Sequence, residues 1–199
     1  MKLFTIGDSI SQGFMSGAAA RTDLCFSTLL AKQFQIDTYQ FPNWALGGLP
    51  LNIEIILRKL QESFGSEIDT LEWIAAFAKT IPEYLDVIEN YYEKGNGAAD
   101  QKYSADIDCF HNISIRGFNI SDSWLITPEY CIEEIKKKKS SDGIYAVVDK
   151  SFLRTALRVL NPSLKQEHNT KTQLDWLKFH SDKPEGIENV IIWLGANNP

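Results

Sequence analysis

Two short apolar runs near the ends of the chain constrain its fold more than anything else in it. They are Leu3-Phe4-Thr5-Ile6 and Asn189-Val190-Ile191-Ile192-Trp193-Leu194. Each is too short for a helix, lacks the polar alternation of a half-exposed strand, and runs directly into a glycine turn. Such runs suit parallel strands buried on both faces. Between them the apolar residues repeat at helical spacing. Ile53, Ile56, Leu57, Leu60 and Phe64 form one stripe, and Leu85, Ile88 and Tyr92 form another after Pro82. The pattern predicts two or three consecutive helices over 51–95, ended by Gly95-Asn96-Gly97. It predicts further helices over 129–139, 152–160 and 171–180, one ending near Phe34 with Asp23 as cap, and a strand over 109–115. Residues 35–50 read as loop, carrying Pro42, Gly47, Gly48 and Pro50, with room for one short strand. Short strands separated by helices argue for an α/β sandwich around a mainly parallel sheet.

The chain has 199 residues, which fits one domain over 1–199. Its net charge of -6 argues against a nucleic-acid partner, because phosphate binding needs a positive surface. No run is long enough to span a membrane, and the opening apolar run is too short for a signal peptide. The expectation is a cytoplasmic protein. Three widely spaced cysteines, Cys25, Cys109 and Cys131, with no Cys-x-x-Cys, fit reduced thiols rather than a disulfide framework or a zinc site. Neither a P-loop nor Gly-x-Gly-x-x-Gly occurs, so the sequence predicts no cofactor and no nucleotide site. Oligomeric state has no signature in it.

Three strand-to-loop junctions carry candidate chemistry: Ile6-Gly7-Asp8-Ser9, Ile115-Arg116-Gly117 and Leu194-Gly195-Ala196-Asn197. In a parallel sheet all strand C-termini share one edge, so junctions far apart in sequence can surround one site. A serine just after a strand meets backbone N–H groups at a turn or helix start, a setting for a nucleophile whose attack creates an oxyanion. A glycine there offers its N–H at close range, and an asparagine offers a carboxamide donor. Taken singly, the plainer roles are a helix cap for Ser9 and turn residues for Gly117 and Asn197.

Together the three junctions resemble the conserved blocks of the SGNH, or GDSL-type, serine hydrolases. Phe4-Thr-Ile-Gly-Asp-Ser-Ile-Ser-Gln-Gly-Phe14 is similar to the first block. Asn112-Ile-Ser-Ile-Arg-Gly117 is similar to the second, with an Asn five residues before the glycine. Gly195-Ala-Asn197-Asn198 is similar to the third, with Asn where Asp is usual. The resemblance implies a flavodoxin-like three-layer α/β/α sandwich. It implies Ser9 as nucleophile, with the Gly117 N–H and the Asn197 side chain completing an oxyanion hole with the Ser9 N–H. Asp8 becomes a structural neighbour. The implied reaction is hydrolysis of a small-molecule ester through an acyl-enzyme, without metal or cofactor.

Three features depart from that pattern. Ser9 and Gly117 stand about a hundred residues apart, which makes the helices of 51–95 an insertion, a candidate lid or substrate wall. Asn43-Trp-Ala-Leu-Gly-Gly48 offers a second Asn-x-x-x-x-Gly, so Gly48 competes with Gly117. Gly117 is preferred for the better strand before it, since Pro42 weakens a central strand at Asn43. The family's closing Asp-x-x-His has no counterpart after Asn197, which leads to the expectation of a fragment that stops before its catalytic His and turns over little. Asp108-Cys-Phe-His111 spells the motif, but at the start of a strand. Six residues span about 20 Å, so His111 belongs at the far edge from Gly117. His168 and His180 flank a polar helix and are expected to be exposed.

A second class of function fits the same edge: a non-catalytic α/β module that binds a small anionic or acylated ligand. The remaining features have plain readings. Trp73, Trp124, Trp176, Trp193, Tyr84, Tyr91 and Tyr92 suit the core. Lys136–Lys139 suits a solvated helix end, and Arg21 with Asp23 a surface ion pair.

Overall fold

The computed structural model describes residues 1–137 and 143–198. The chain is mixed α/β. Strand β1 (Leu3–Gly7) is buried along its whole length and pairs in parallel with β5 (Asn189–Trp193), from Leu3 opposite Asn189 to Gly7 opposite Trp193. On its other side β1 meets residues 111–115. There Thr5 N–H donates to His111 O at 2.8 Å, Ile113 N–H to Thr5 O at 2.9 Å and Ile115 N–H to Gly7 O at 2.9 Å. Only Thr5 and Asn112 form a regular bridge, so the strand expected over 109–115 is an extended segment rather than a full strand. The Asn112 side chain turns into a buried hydrogen-bond network instead of an even ladder.

Both faces of β1 are covered, as its apolar run predicts. Leu3 packs with Ala31 of α2 (Phe26–Gln33) and with Tyr39, and Thr5 Oγ1 lies 2.8 Å from Tyr39 Oη. Phe4 and Ile6 face the other way, into the main core. That core holds Ile113, Ile115 and Phe118, Leu157 and Leu160 of α8 (Ser151–Leu160), and Trp176 of α9 (Gln173–Ser181). Each such large apolar side chain contributes about 1.5–3 kcal/mol on burial. The Trp176 indole N–H donates to Leu160 O at 2.8 Å, which locks α9 against the end of α8.

Strand β5 departs from its expected burial. Val190, Ile192 and Trp193 are exposed, Ile192 at 63%. Among the described residues β5 pairs only with β1, so it is an edge strand.

A second sheet was not evident in the sequence. Strands β2 (Phe14–Met15), β3 (Ala18–Ala19) and β4 (Leu49–Pro50) form a small antiparallel sheet in the order β2-β3-β4. The hairpin follows the short helix α1 (Ser9–Gln12). Its partner β4 leads into α3 (Ile53–Phe64), where Asn52 caps the helix by accepting from Ile55 N–H.

The predicted helices of 51–95 are present. After α3, helix α4 (Thr70–Ala75) starts on a capping box, with Asp69 accepting from Glu72 N–H and Glu72 from Asp69 N–H. It continues through a π-helical turn, Ala76–Thr80, into α5 (Ile81–Glu93) without a break. Pro82 has no N–H to donate and its ring crowds the preceding turn; the wider turn, with Ile81 N–H reaching Ala76 O, accommodates it. Tyr84, Ile88 and Tyr92 form a second core with Leu49 and Val148. Two short helices, α6 (Asp122–Leu125) and α7 (Pro128–Lys136), complete the set, and α7 packs against α8. Of the lysine run, Lys136 and Lys137 end α7, while Lys138 and Lys139 lie outside the described residues.

Asp23 does not cap α2. Arg21 forks onto it at 3.0 and 2.9 Å in an exposed ion pair. Of the aromatic residues expected in the core, Trp176, Tyr84 and Tyr92 are buried, but Trp73, Trp124 and Trp193 are exposed. All three cysteines are buried free thiols. Among the described residues no helix is long and apolar enough to cross a membrane.

Candidate active site

The candidate site is built outward from Gly7, the last residue of β1. A Cβ at Gly7 would lie 2.1 Å from Ser11 Oγ and 2.7 Å from Trp193 O, so only glycine allows the neighbouring strand and the next helix to close in. Asp8 follows as the cap of α1, its Oδ1 accepting from Ile10 N–H at 3.0 Å. That is the structural role expected for it. Ser9 is therefore the first residue of a four-residue helix, half-buried, and Gly13 closes that helix with φ of 81°.

Both other junctions lie against this turn. Thr5 bridges Asn112 and Ile115 N–H bonds to Gly7 O, so Ser114 is level with Gly7 and Gly117 lies three residues further on, against two for Ser9 on the chain of β1. Neighbouring strands stand about 4.8 Å apart. On the other side Asp8 N–H donates to Trp193 O at 3.0 Å, which brings Leu194 to Asn197 to the same edge. The Asn197 carboxamide donates to Phe118 O at 2.9 Å and Asn198 Oδ1 accepts from Ile120 N–H at 3.1 Å, tying the third junction to the second. One of the two Nδ2 protons of Asn197 is used in that bond, and one is left.

The two rival glycines differ in their hydrogen bonding. Gly48 N–H donates to Ala45 O at 3.0 Å, and a Cβ there would fall 1.9 Å from Ala19 O. Gly48 is a packing glycine with its donor consumed. No acceptor among the described residues takes the Gly117 N–H. Gly117 is exposed with φ of 78°, and its nearest neighbour across the missing side chain is the Phe152 ring at 3.4 Å.

Asn112 holds the turn that carries Ser9. Its Nδ2 donates to Ser11 O at 2.8 Å and Ser27 Oγ at 3.0 Å, and its Oδ1 accepts from Ser114 N–H at 3.0 Å. Two buried glutamines complete the frame, and neither was singled out in the sequence. Gln12 Oε1 accepts from Arg116 N–H at 2.8 Å. Gln173 Nε2 donates to Gly7 O at 3.1 Å and Ile113 O at 2.6 Å, bridging the ends of two strands. Nothing in a single sequence separates a buried glutamine from a surface one; only their position near strand ends was available as a signal.

Around this corner five buried polar atoms lack a partner among the described residues: Asp8 Oδ2, Gln12 Nε2, Ser114 Oγ, Arg116 Nε and Gln173 Oε1. Buried polar groups are normally paired, at a cost of about 1–3 kcal/mol each when they are not.

No histidine joins the corner. His111 is level with Thr5, and its Nδ1 accepts from Gln40 N–H at 2.9 Å. Burial holds its pKa below the usual histidine value. Asp108 pairs with Lys165 at 2.8 Å rather than with His111. The expected exposure of His168 and His180 is corrected. His168 is buried, its ring 4.8 Å from Trp176 and its Nε2 3.6 Å from Asp108 Oδ2. His180 is half-buried against Phe4, 5.4 Å between ring centres. Desolvation pulls its pKa to about 4. It sits at the end of α9 remote from Gln173, about 10 Å further along the helix. His168 and His180 lie against Trp176 and Phe4, contacts that the polar sequence around α9 concealed.

A cleft of about 620 Å³ lies between α3 and α5, lined by Lys59, Phe64, Ala75, Lys79, Tyr84 and Val87 among others. None of its lining residues belongs to the three junctions, so its size does not make it part of the Ser9 corner. Among the described residues no cluster of three or more His, Cys, Asp or Glu side chains is arranged for a metal ion.

Compared with known proteins, the chain matches no family model, no curated protein and no solved structure.

Proposed function

We propose that this chain is the nucleophile and oxyanion part of an SGNH-type serine ester hydrolase with a flavodoxin-like three-layer α/β/α architecture. Ser9 Oγ attacks the ester carbonyl carbon, and the carbonyl oxygen becomes the oxyanion. The N–H groups of Ser9 and Gly117 and the Asn197 carboxamide stabilise that charge. The alcohol leaves with a proton, and water then releases the acid from the acyl-serine. The observation that carries the reading is the unpaired Gly117 N–H, two residues past the bond from Ile115 N–H to Gly7 O, beside the turn that begins at Gly7. Cover on both faces of β1, with parallel neighbours on each side, supports the sandwich.

The reading requires a base that none of His111, His168 and His180 supplies where they stand, since a serine hydroxyl is a poor nucleophile alone. Imidazole can stand in for it. Ser9 is expected to react with a fluorophosphonate probe at a rate that rises with imidazole, and Ser9→Ala is expected to abolish the reaction. Intact-protein mass spectrometry with peptide mapping reads both. Modification elsewhere, or no modification at any imidazole concentration, rejects the hydrolase reading.

A second reading follows from the three histidines, all engaged away from Ser9. The same edge then binds a small anionic or acylated ligand without turnover. It predicts saturable ligand binding with no probe adduct at Ser9.

A further inference from the structure

The glycine proposed to hold the oxyanion is preceded by an arginine that the hydrolase reading leaves unused. Arg116 is fixed at both ends. Its main-chain N–H bonds to Gln12 Oε1, and its Nη2 donates to Ser151 Oγ at 2.6 Å. Its guanidinium lies over the Phe14 ring, 5.6 Å from the centre. These partners orient the group but do not neutralise it. Arg116 Nε is buried and has no acceptor among the described residues.

The chain carries 26 acidic side chains, yet among the described residues none stands within ion-pair distance of Arg116. Burial lowers its pKa, and among the described residues no carboxylate pairs with it. A half-buried cation without a counter-charge is costly to hold, so its retention beside a reactive corner calls for an anion that arrives. Ser151 also opens α8, which has no side-chain cap, so the positive end of that helix faces the same guanidinium.

We infer that Arg116 is a specificity residue, and that the ester acted on carries a carboxylate within a few bonds of the scissile carbonyl. The planar guanidinium fork matches a carboxylate in geometry as well as in charge. Naming an ester rests on the Ser9 reading; the anion site rests on the surroundings of Arg116.

The test is binding, which needs no turnover. Monomethyl glutarate and its neutral counterpart dimethyl glutarate are titrated into the full chain by ligand-observed NMR, for wild type, Arg116→Gln and Arg116→Lys. Wild type is expected to prefer the monoanion by about tenfold or more, as for a charged hydrogen-bonded contact. The preference falls to about one in Arg116→Gln and is only partly kept in Arg116→Lys, which has the charge without the fork. The Arg116 Nε–H resonance of the wild-type protein shifts with the monoanion and not with the diester, a readout that survives if a variant fails to fold. Equal binding of the two ligands by wild type, or a preference that persists in Arg116→Gln, overturns the inference. Anion preference without any probe adduct at Ser9 would leave the site standing and remove the hydrolase reading. An adduct without anion preference would do the reverse.

Discussion

Asn112 reaches the carbonyl of Ser11 across 101 residues of chain, at 2.8 Å, and holds Ser27 Oγ with the same amide nitrogen. The turn that presents Ser9 is thus anchored from the neighbouring strand segment. Replacing Asn112 with Ala leaves the Ser11 carbonyl and the Ser114 amide unpaired in the interior. The expected cost is about 2–6 kcal/mol, at about 1–3 kcal/mol for each orphaned group, measured as a lower urea midpoint with an unchanged slope.

Gly48 and Gly117 are expected to separate cleanly. At Gly48 an Ala side chain meets backbone at 1.9 Å, so Gly48→Ala loses stability by well over about 2 kcal/mol or fails to fold. At Gly117 the nearest atoms are 3.4 Å away and only the left-handed φ opposes a side chain. Gly117→Ala is therefore expected to cost about 1–2 kcal/mol, while slowing the reaction of Ser9 with a fluorophosphonate. Thermal melts and labelling rates on the two variants check this.

Stability should depend on pH through the buried histidines. The folded-state pKa of His180 is depressed to about 4 from 6.5, and His111 shifts in the same direction, both chiefly through desolvation. In that window the unfolded chain takes up protons that the folded chain refuses. Their contribution is present above pH 6.5 and is lost as the pH falls toward 4. Denaturation midpoints measured from pH 7.5 to 4.5 should decline, and His180→Asn should flatten the decline.

Arg158 stacks on Tyr103 at 3.8 Å and on Trp44 at 5.0 Å, buried between two aromatic faces. A lysine keeps the charge but not the planar stacking surface. Arg158→Lys is expected to lose about 1–2 kcal/mol, whereas Arg58→Lys on the exposed face of α3 should change stability by less than about 0.5 kcal/mol. Chemical denaturation of both variants gives the comparison.

The sequence was legible where one physical demand ruled a stretch. β1 and the helices α3, α5, α8 and α9 follow from uninterrupted apolar runs or stripes, because burial decides every position in them. β5 was found for the same reason, but its burial was not, since an apolar composition does not say how many neighbours a strand has. The antiparallel sheet escaped because Phe14–Met15, Ala18–Ala19 and Leu49–Pro50 are two residues each, too short for any period. At the candidate site the junction residues were readable as a set. Gln12, Gln173 and Arg116 were not, because their roles come from partners 35 to 166 residues distant. The polar neighbours of His168 and His180 misled for the opposite reason: α9 turns only part of its surface to solvent.

The π-helical turn between α4 and α5 has a consequence for everything downstream of it. One residue added to a helix advances the following side chains by about 100° around the axis. Upstream of Ala76 the bulky side chains Leu71 and Ile74 point outward, while downstream Tyr84, Ile88 and Tyr92 point into the second core. A π turn takes up that extra residue in one wide turn, so removing a single residue from 76–80 would close it to α geometry and leave Tyr84, Ile88 and Tyr92 on the face that meets Leu49.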